Sequence, residues 1–206
     1  MKILLIGPAG SGKGTIGEMV SDYLNISQVS LGHILREVPE SHRWYRKINE
    51  QMDEGMLVDQ DKAAALLKEE LEKEKYTGGF VLDGWFRSME NVRLYVPEID
   101  KAFYLSIPRD ESVKRLTSRR TCEKCGDIYN IYFSPPREAE ICDECGGKLR
   151  QRDDDTLEAI NERLDIFEEE TVPVIEYLKE KGILIEINGL GSPQEVFERV
   201  KSVLGI

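Results

Sequence analysis

Short apolar runs rich in β-forming residues alternate along the chain with segments whose apolar residues recur at helical spacing. The strand-like runs lie at 2–6, 28–31, 80–82, 102–107 and 183–187. The helical patterns lie at 13–24, 31–37, 42–53, 61–73, 110–120, 157–169, 172–181 and 193–204. This alternation predicts an α/β fold in which a parallel five-stranded sheet is flanked by helices.

The first strand is followed by a glycine-rich turn, Gly7-Pro8-Ala9-Gly10-Ser11-Gly12-Lys13-Gly14-Thr15. Glycines let several backbone N–H groups point at one anion, and the helix that follows adds positive potential at its N-terminus. Lys13 can reach a β- or γ-phosphate, so the spacing G-x-x-x-x-G-K predicts a phosphate-binding loop. Gly14 stands where Ser or Thr usually follows the lysine, and the hydroxyl comes at Thr15, so the loop does not by itself predict a magnesium contact.

Size and charge narrow the classes of function. The 206 residues suffice for one core with one or two small inserted lobes. A net charge of −11 argues against a general nucleic-acid binder, and it means that a few arginines must focus positive potential if the substrates are polyphosphates. Apolar runs are too short to span a membrane, and the N-terminus has the pattern of a strand rather than a signal peptide, so we expect a cytoplasmic protein.

The four cysteines form two knuckles, Cys122-x-x-Cys125 and Cys142-x-x-Cys145. This spacing predicts a tetrahedral four-thiolate zinc site, which is structural because no coordination position stays open. A disulfide pair and a rubredoxin-like iron site are the alternatives. We expect Tyr129, Tyr132 and Phe133 to fill the small apolar core of this lobe.

Over its whole length the chain resembles the adenylate kinase family, in particular its zinc-containing bacterial branch. Besides the phosphate loop and the knuckles, the resemblance rests on 30–36 (SLGHILR), 55–59 (GMLVD), 79–87 (GFVLDGWFR), Arg119-Arg120, Arg152-x-Asp154-Asp155 and Arg163. It implies a P-loop kinase-like fold and reversible transfer of the γ-phosphate of MgATP to AMP, giving two ADP. It also implies a monomer with a core at 1–29, 59–118 and 156–206, a helical monophosphate-binding lobe at 30–58, and a zinc-binding lid at 119–155.

The resemblance also assigns roles to residues. The catalytic cations are Lys13, Arg87, Arg119, Arg152 and Arg163. The ATP site comprises Gly10, Ser11, Gly12, Lys13, Gly14, Thr15, Arg119, Ile128, Tyr129 and Gly191. The AMP site comprises Leu31, Arg36, Met56, Leu57, Val58, Gly84, Trp85, Phe86, Arg87, Asn91, Arg152 and Arg163. Asp83 is expected to orient magnesium-bound waters, and Asp154 and Asp155 to anchor the lid or hold arginines.

Four positions depart from the family pattern. Leu31, His33 and Asn91 stand where the family usually has Thr, Asp and the glutamine that reads adenine, which leaves CMP or UMP open as the acceptor. Phe86 replaces a proline that usually follows a cis peptide bond; because a cis bond before a non-proline residue costs about 3 kcal/mol, we predict a trans bond. These departures also leave open an inactive nucleotide-binding scaffold. A zinc-ribbon ATPase acting on nucleic acid is disfavoured by the net charge.

Overall fold

The computed structural model describes residues 1–53 and 58–205. The strands are β1 (Lys2–Ile6), β2 (Ser27–Ser30), β3 (Phe80–Asp83), β4 (Lys101–Ser106), β5 (Arg119–Cys122), β6 (Ile128–Asn130), β7 (Leu149–Arg150) and β8 (Leu184–Asn188). In the described part, five of them form a parallel sheet in the spatial order β2-β3-β1-β4-β8. The predicted α/β architecture is therefore confirmed.

Helices cover the parallel sheet. They are α1 (Lys13–Leu24), α2 (Leu31–Arg36), α3 (Tyr45–Asp53), α4 (Gln60–Leu71), α5 (Met89–Leu94), α6 (Arg109–Thr117), α7 (Leu157–Ile166), α8 (Val172–Glu180) and α9 (Pro193–Leu204). A short 3₁₀ turn lies at Glu74–Tyr76. No helix within the described ranges combines the length and the apolar character that a membrane crossing requires.

The central strands are buried on both faces, which explains why they appear in the sequence as continuous apolar runs. On β1, Leu4 packs with one cluster that includes Leu67 and Leu82, while Ile3 packs with the opposite cluster that includes Phe103. All five side chains are at most 1% exposed. The sheet is thus a rigid platform whose carboxyl edge carries the loops that leave β1, β3 and β4.

Residues 119–155, here called the cysteine lobe, carry a small antiparallel sheet in the order β6-β5-β7. The sequence pattern placed Arg119 and Arg120 on a helix, and this is wrong: α6 ends at Thr117 and both arginines lie on β5. The Ser118 hydroxyl donates to the Lys114 carbonyl at 2.6 Å, which occupies a carbonyl of the last turn where the chain leaves the helix.

The expectation for the aromatic residues of the cysteine lobe holds only in part. Tyr129 is buried beside Cys122 and Cys142, but Tyr132 and Phe133 are 69% and 42% exposed. Phe133 packs instead under the ammonium of Lys114 on α6, with Nζ 4.9 Å from the ring centre. The apolar core of the lobe is therefore smaller than the sequence suggested, which increases its dependence on the cysteines.

A π-helical turn at Phe167–Thr171 joins α7 to α8. Pro173 lies in the first turn of α8, and it has no N–H to donate to the preceding turn, so a widened turn at this point costs little. The extra residue rotates the helix so that Thr171 faces inward and is only 6% exposed. The sequence patterns at 157–169 and 172–181 thus belong to one nearly continuous helical segment.

Candidate active site

The phosphate loop (residues 7–15) connects β1 to α1 and closes around the ammonium of Lys13. A Cβ at Gly7 would lie 2.7 Å from the Leu105 carbonyl oxygen, so only glycine allows the loop to pass β4 this closely. Lys13 Nζ donates to the carbonyls of Gly7 and Pro8 at 2.8 and 2.9 Å. The lysine is therefore held inside the loop, at the N-terminus of α1, where an anion is expected to bind.

The environment of Lys13 disfavours its positive charge. Burial lowers the pKa of the Lys13 ammonium to about 8; the Asp83 carboxylate opposes this shift, and Arg87, Arg163 and Arg119 add to it. These groups come from three separate segments of the chain, at 83–87, 119 and 163, and all act on one ammonium. Phosphate oxygens placed among them would neutralise the repulsion, so the arrangement favours a polyphosphate ligand.

Asp83 ends β3 and faces the phosphate loop. Its Oδ1 atom is buried and has no hydrogen-bond partner among the described residues. A buried carboxylate oxygen needs a partner, and a hydrated Mg²⁺ carried by a nucleotide supplies one through its waters. Asp83 therefore fits the role of orienting magnesium-bound water that the sequence suggested.

The segment 84–87, here called the acceptor loop, brings Arg87 to the same edge of the sheet. Gly84 has φ +87°, and a Cβ there would lie 3.4 Å from Nη2 of Arg87, so the guanidinium passes directly over this glycine. Arg87 as a residue is exposed to solvent, while protein atoms surround its guanidinium group. Burial lowers the pKa of its guanidinium, Asp83 opposes the shift and Arg163 adds to it.

Arginines from the cysteine lobe and from α7 complete the cluster of cations. Arg119 on β5 forms a two-pronged ion pair with Asp155, whose side chain is fully buried, at 2.8 Å (Nε–Oδ2) and 2.6 Å (Nη2–Oδ1). Arg163 donates to Asp154 at 2.9 Å. Arg152 donates to the Thr121 hydroxyl at 3.0 Å; burial lowers the pKa of Arg152, and Arg119 lowers it further.

The structure thus brings together the five cations that the sequence singled out, as their effects on one another's pKa show. They are Lys13, Arg87, Arg119, Arg152 and Arg163. It does not bring Arg36 into this set. Arg36 is exposed and folds over Gly32 of its own helix, where an added Cβ would lie 3.5 Å from its Nη1. Its role toward an acceptor phosphate stays a prediction.

The other expected acceptor residues are mostly buried. Leu31, Val58, Trp85 and Phe86 are between 1% and 8% exposed, and the Trp85 indole donates to the Tyr95 carbonyl at 2.9 Å. The Trp85–Phe86 peptide is trans, as predicted. Met56 and Leu57 lie outside the described residues.

Asn91 lies inside the first turn of α5 and is only 2% exposed. Its Oδ1 accepts from the backbone N–H groups of Arg87 and Ser88, and its Nδ2 donates to Gln60 at 2.5 Å. The base-reading role that the sequence suggested for Asn91 stays a prediction.

On the donor side, Arg115 joins two loops of the site. Arg115 reaches from α6 to the Gly189 carbonyl at 3.0 Å and lies 3.5 Å from the Gly10 carbonyl. It therefore connects the phosphate loop with the loop that contains Gly191. Only the tertiary structure shows this connection, since the two loops are far apart in sequence. Among the remaining donor candidates, Ile128 is 49% exposed on the cysteine lobe.

The cysteine sulfurs of the two knuckles all lie within 4.8 Å of one another, and all four thiols are free. Tyr129 contacts the second knuckle: its hydroxyl lies 3.5 Å from Cys142 Sγ and accepts from the Asp143 N–H at 2.9 Å. The pKa of the Cys142 thiol is lowered to about 6, chiefly by this contact with Tyr129 and also by hydrogen bonds from the Cys145 and Glu144 backbone, while burial opposes the shift. The group can hold a tetrahedral zinc ion, and iron remains the alternative.

A phosphate loop on a parallel sheet, surrounded by four arginines and a carboxylate suited to a hydrated cation, defines a P-loop enzyme that handles nucleotide phosphates. The family model described as Adenylate kinase matches residues 5–183. The chain belongs to the adenylate kinase family.

Curated relatives match nearly from end to end. The adenylate kinase of Archaeoglobus fulgidus is 37% identical over 212 residues, covering 99% of this chain and 98% of the relative. The adenylate kinase of Methanothrix thermoacetophila is 39% identical, with the same coverage. The adenylate kinase of Clostridium tetani is 36% identical and covers 100% and 99% of the two chains. The match therefore includes the cysteine lobe as well as the parallel sheet.

The lowered pKa of Lys13 predicts that MgATP binding weakens as the pH rises through about 8. The neutral amine attracts phosphate less than the ammonium does, and nucleotide phosphates are already fully ionised there. We expect the dissociation constant measured by calorimetry to rise roughly eightfold between about pH 7.5 and about pH 9. Lys13→Arg is the control, because a guanidinium does not titrate in this range; equal pH dependence in both proteins would contradict the prediction.

Proposed function

We propose that this chain catalyses the reversible transfer of the γ-phosphate of MgATP to AMP, giving two ADP. The observation that carries the proposal is the convergence of Lys13 with Arg87, Arg119 and Arg163 at the carboxyl edge of the sheet. Its relatives, each an adenylate kinase, support both the reaction and the acceptor.

The residues suit phosphoryl transfer because this reaction requires alignment and charge neutralisation more than covalent help from the protein. Lys13 and the loop amides hold the β- and γ-phosphates of the donor. Arg87 and Arg36 hold the acceptor phosphate. Arg119, Arg152 and Arg163 neutralise the group in transit. Asp83 is the residue that would orient the waters of the Mg²⁺ that accompanies ATP, and the ion would supply further neutralisation of phosphate charge there.

Water at the site would accept the phosphoryl group, so the site must close before transfer. We assign this closure to the cysteine lobe, residues 119–155. We place the monophosphate-binding lobe at 30–58, and the core at 1–29, 59–118 and 156–206. The support is the position of the cysteine lobe: the lobe joins α6 to α7, and the Arg119–Asp155 pair connects its two ends. Cys122, Cys125, Cys142 and Cys145 would hold a zinc ion, which would cross-link a lobe whose own apolar core is small.

A pyrimidine monophosphate is the second candidate for the acceptor. The departures of Leu31, His33 and Asn91 from the family pattern leave this candidate open. The remaining parts of the proposal are a monomer acting in the cytoplasm on small-molecule nucleotides, with no nucleic-acid partner. Transfer to any monophosphate would exclude the inactive scaffold, and hydrolysis stimulated by nucleic acid would instead favour the zinc-ribbon ATPase.

An acceptor panel tests the proposed reaction. With MgATP as the donor and AMP, CMP, UMP, GMP or dCMP offered separately, we expect ADP formation to be fastest with AMP. Arg87→Met is expected to lose at least about 100-fold in kcat/KM while its circular dichroism stays unchanged, because the acceptor phosphate loses a charged partner inside the site. A preference for CMP or UMP would change the acceptor, and absence of transfer to every monophosphate would contradict the function.

Zinc removal tests the role of the cysteine lobe. We expect the purified protein to contain one zinc per chain, and chelation to lower its thermal midpoint by several degrees because the lobe loses its main cross-link. At low temperature, where the chelated protein is still folded, transfer should persist at a reduced rate. Complete loss of transfer by folded, chelated protein would assign zinc a more direct role; iron in the purified protein would identify the other metal.

A further inference from the structure

Side chains from two helical segments, the nearby α5 and the distant turn before α8, hold the backbone on both sides of Arg87. The Arg87 N–H donates to Oδ1 of Asn91 at 2.9 Å, and the Thr171 hydroxyl donates to the Arg87 carbonyl at 2.7 Å. Thr171 is separated from Arg87 by 84 positions in the sequence, and both Thr171 and Asn91 are buried. One residue of the acceptor loop is therefore fixed at its amide and at its carbonyl.

The residue before Arg87 explains why such a restraint is needed. Phe86 has φ +33°, a conformation that non-glycine residues seldom adopt, and it follows a trans peptide. The proline usual in the family fixes its own φ by its ring, whereas Phe86 has no such constraint. The Phe86 side chain is buried, at 1% exposure, and anchors the loop in the core, but it does not set the direction of the residue that follows.

The geometry at Asn91 differs from that of a base-reading amide. Oδ1 also accepts from the Ser88 N–H at 3.1 Å, and Nδ2 donates to Gln60 on α4. Gln60 in turn donates to the Val58 carbonyl at 3.2 Å. The amide of Asn91 is thus directed at the acceptor loop and at α4, and its 2% exposure leaves little surface for a ligand.

Thr171 reaches the acceptor loop because it ends the π-helical turn between α7 and α8. An extra residue in a helix shifts the direction of every side chain that follows it, and such turns often occur at functional sites. Thr171 is otherwise an ordinary buried threonine whose hydroxyl requires one partner. Here that partner is the backbone of the residue that holds the acceptor phosphate.

We propose that Thr171 and Asn91 are positioning residues that together aim Arg87 at the acceptor phosphate. Asn91 acts through Arg87 rather than on the base. The proposal rests on the function proposed above, since it assumes that Arg87 holds the acceptor phosphate. In this chain the Thr171 hydroxyl and the Asn91 amide would restrain the acceptor loop, as a proline before the arginine does elsewhere in the family.

Thr171→Val tests the proposal, because valine keeps the shape and removes the hydrogen bond. We expect the dissociation constant for AMP, measured by calorimetry well below the thermal midpoint, to rise about tenfold while that for MgATP changes less than twofold. Thr171→Ser keeps the hydroxyl, so this variant should bind AMP with a dissociation constant close to that of the unchanged protein. Thr77→Val is the matched control, since Thr77 also donates to a backbone carbonyl, that of Glu74 at 2.8 Å, but lies in the turn before β3, away from the site.

A double-mutant cycle with Arg87→Met separates positioning from a general loss of stability. If Thr171 acts through Arg87, adding Thr171→Val to Arg87→Met should weaken AMP binding less than twofold further. An additional tenfold loss, or equal weakening of AMP and MgATP binding by Thr171→Val alone, would overturn the proposal. Calorimetry does not require turnover, so failure of phosphoryl transfer and failure of this inference are distinguishable.

Asn91→Ala tests the second half of the proposal. It should weaken AMP and CMP binding by similar factors, leaving their ratio within about twofold of that of the unchanged protein. A base-reading amide would instead change that ratio, and a shift of more than about fivefold would assign Asn91 to the base.

Discussion

Repulsion among cations held at one edge of the sheet is the constraint on which the rest of the structure depends. The chain has a net charge of −11, yet it gathers Lys13 and four arginines within electrostatic reach of one another. Burial and mutual repulsion lower the pKa of Lys13 to about 8. Nearby carboxylates reduce the repulsion within such a group, and phosphate-bearing ligands would complete its neutralisation.

Two carboxylates, those of Asp83 and Asp155, offset the positive charge of this cluster. The Asp83 carboxylate attracts both Lys13 and Arg87, while Asp155 is fully buried against Arg119. A buried ion pair of this kind contributes little net stability, since the cost of desolvating both charges offsets their attraction. It does fix the orientation of the Arg119 side chain. The cations are therefore oriented before a substrate arrives, which is the condition under which electrostatic stabilisation of a transferring phosphoryl group is most effective.

Most of the fold was predictable from the sequence because its determinants are local. β1, α1 and α9 have the predicted bounds, since an apolar run, a glycine-rich turn and a Pro-initiated amphipathic helix are each visible within a dozen residues. The end of α6 was not predictable, because the residues after Thr117 continue the helical pattern while β5 is stabilised by pairing with β6 and β7.

The site was predictable where motif spacing defines it and unpredictable where tertiary contacts do. Lys13 and the arginines followed from motifs and from the family resemblance. The contacts of Arg115 with the Gly189 carbonyl and of Thr171 with the Arg87 carbonyl had no signal in the sequence, since both depend on how distant segments pack. Asn91 was recognised as a departure from the family, but its packing against Gln60 became apparent only in the folded chain.

The central claim is that one set of cations aligns two nucleotides with their phosphates adjacent. A dinucleotide in which five phosphates join two adenosines spans both sites if this is correct. Calorimetry should then show one molecule bound per chain, with binding abolished in competition by either saturating MgATP or saturating AMP. A dinucleotide that binds unchanged in saturating AMP and is displaced by MgATP alone would contradict the account.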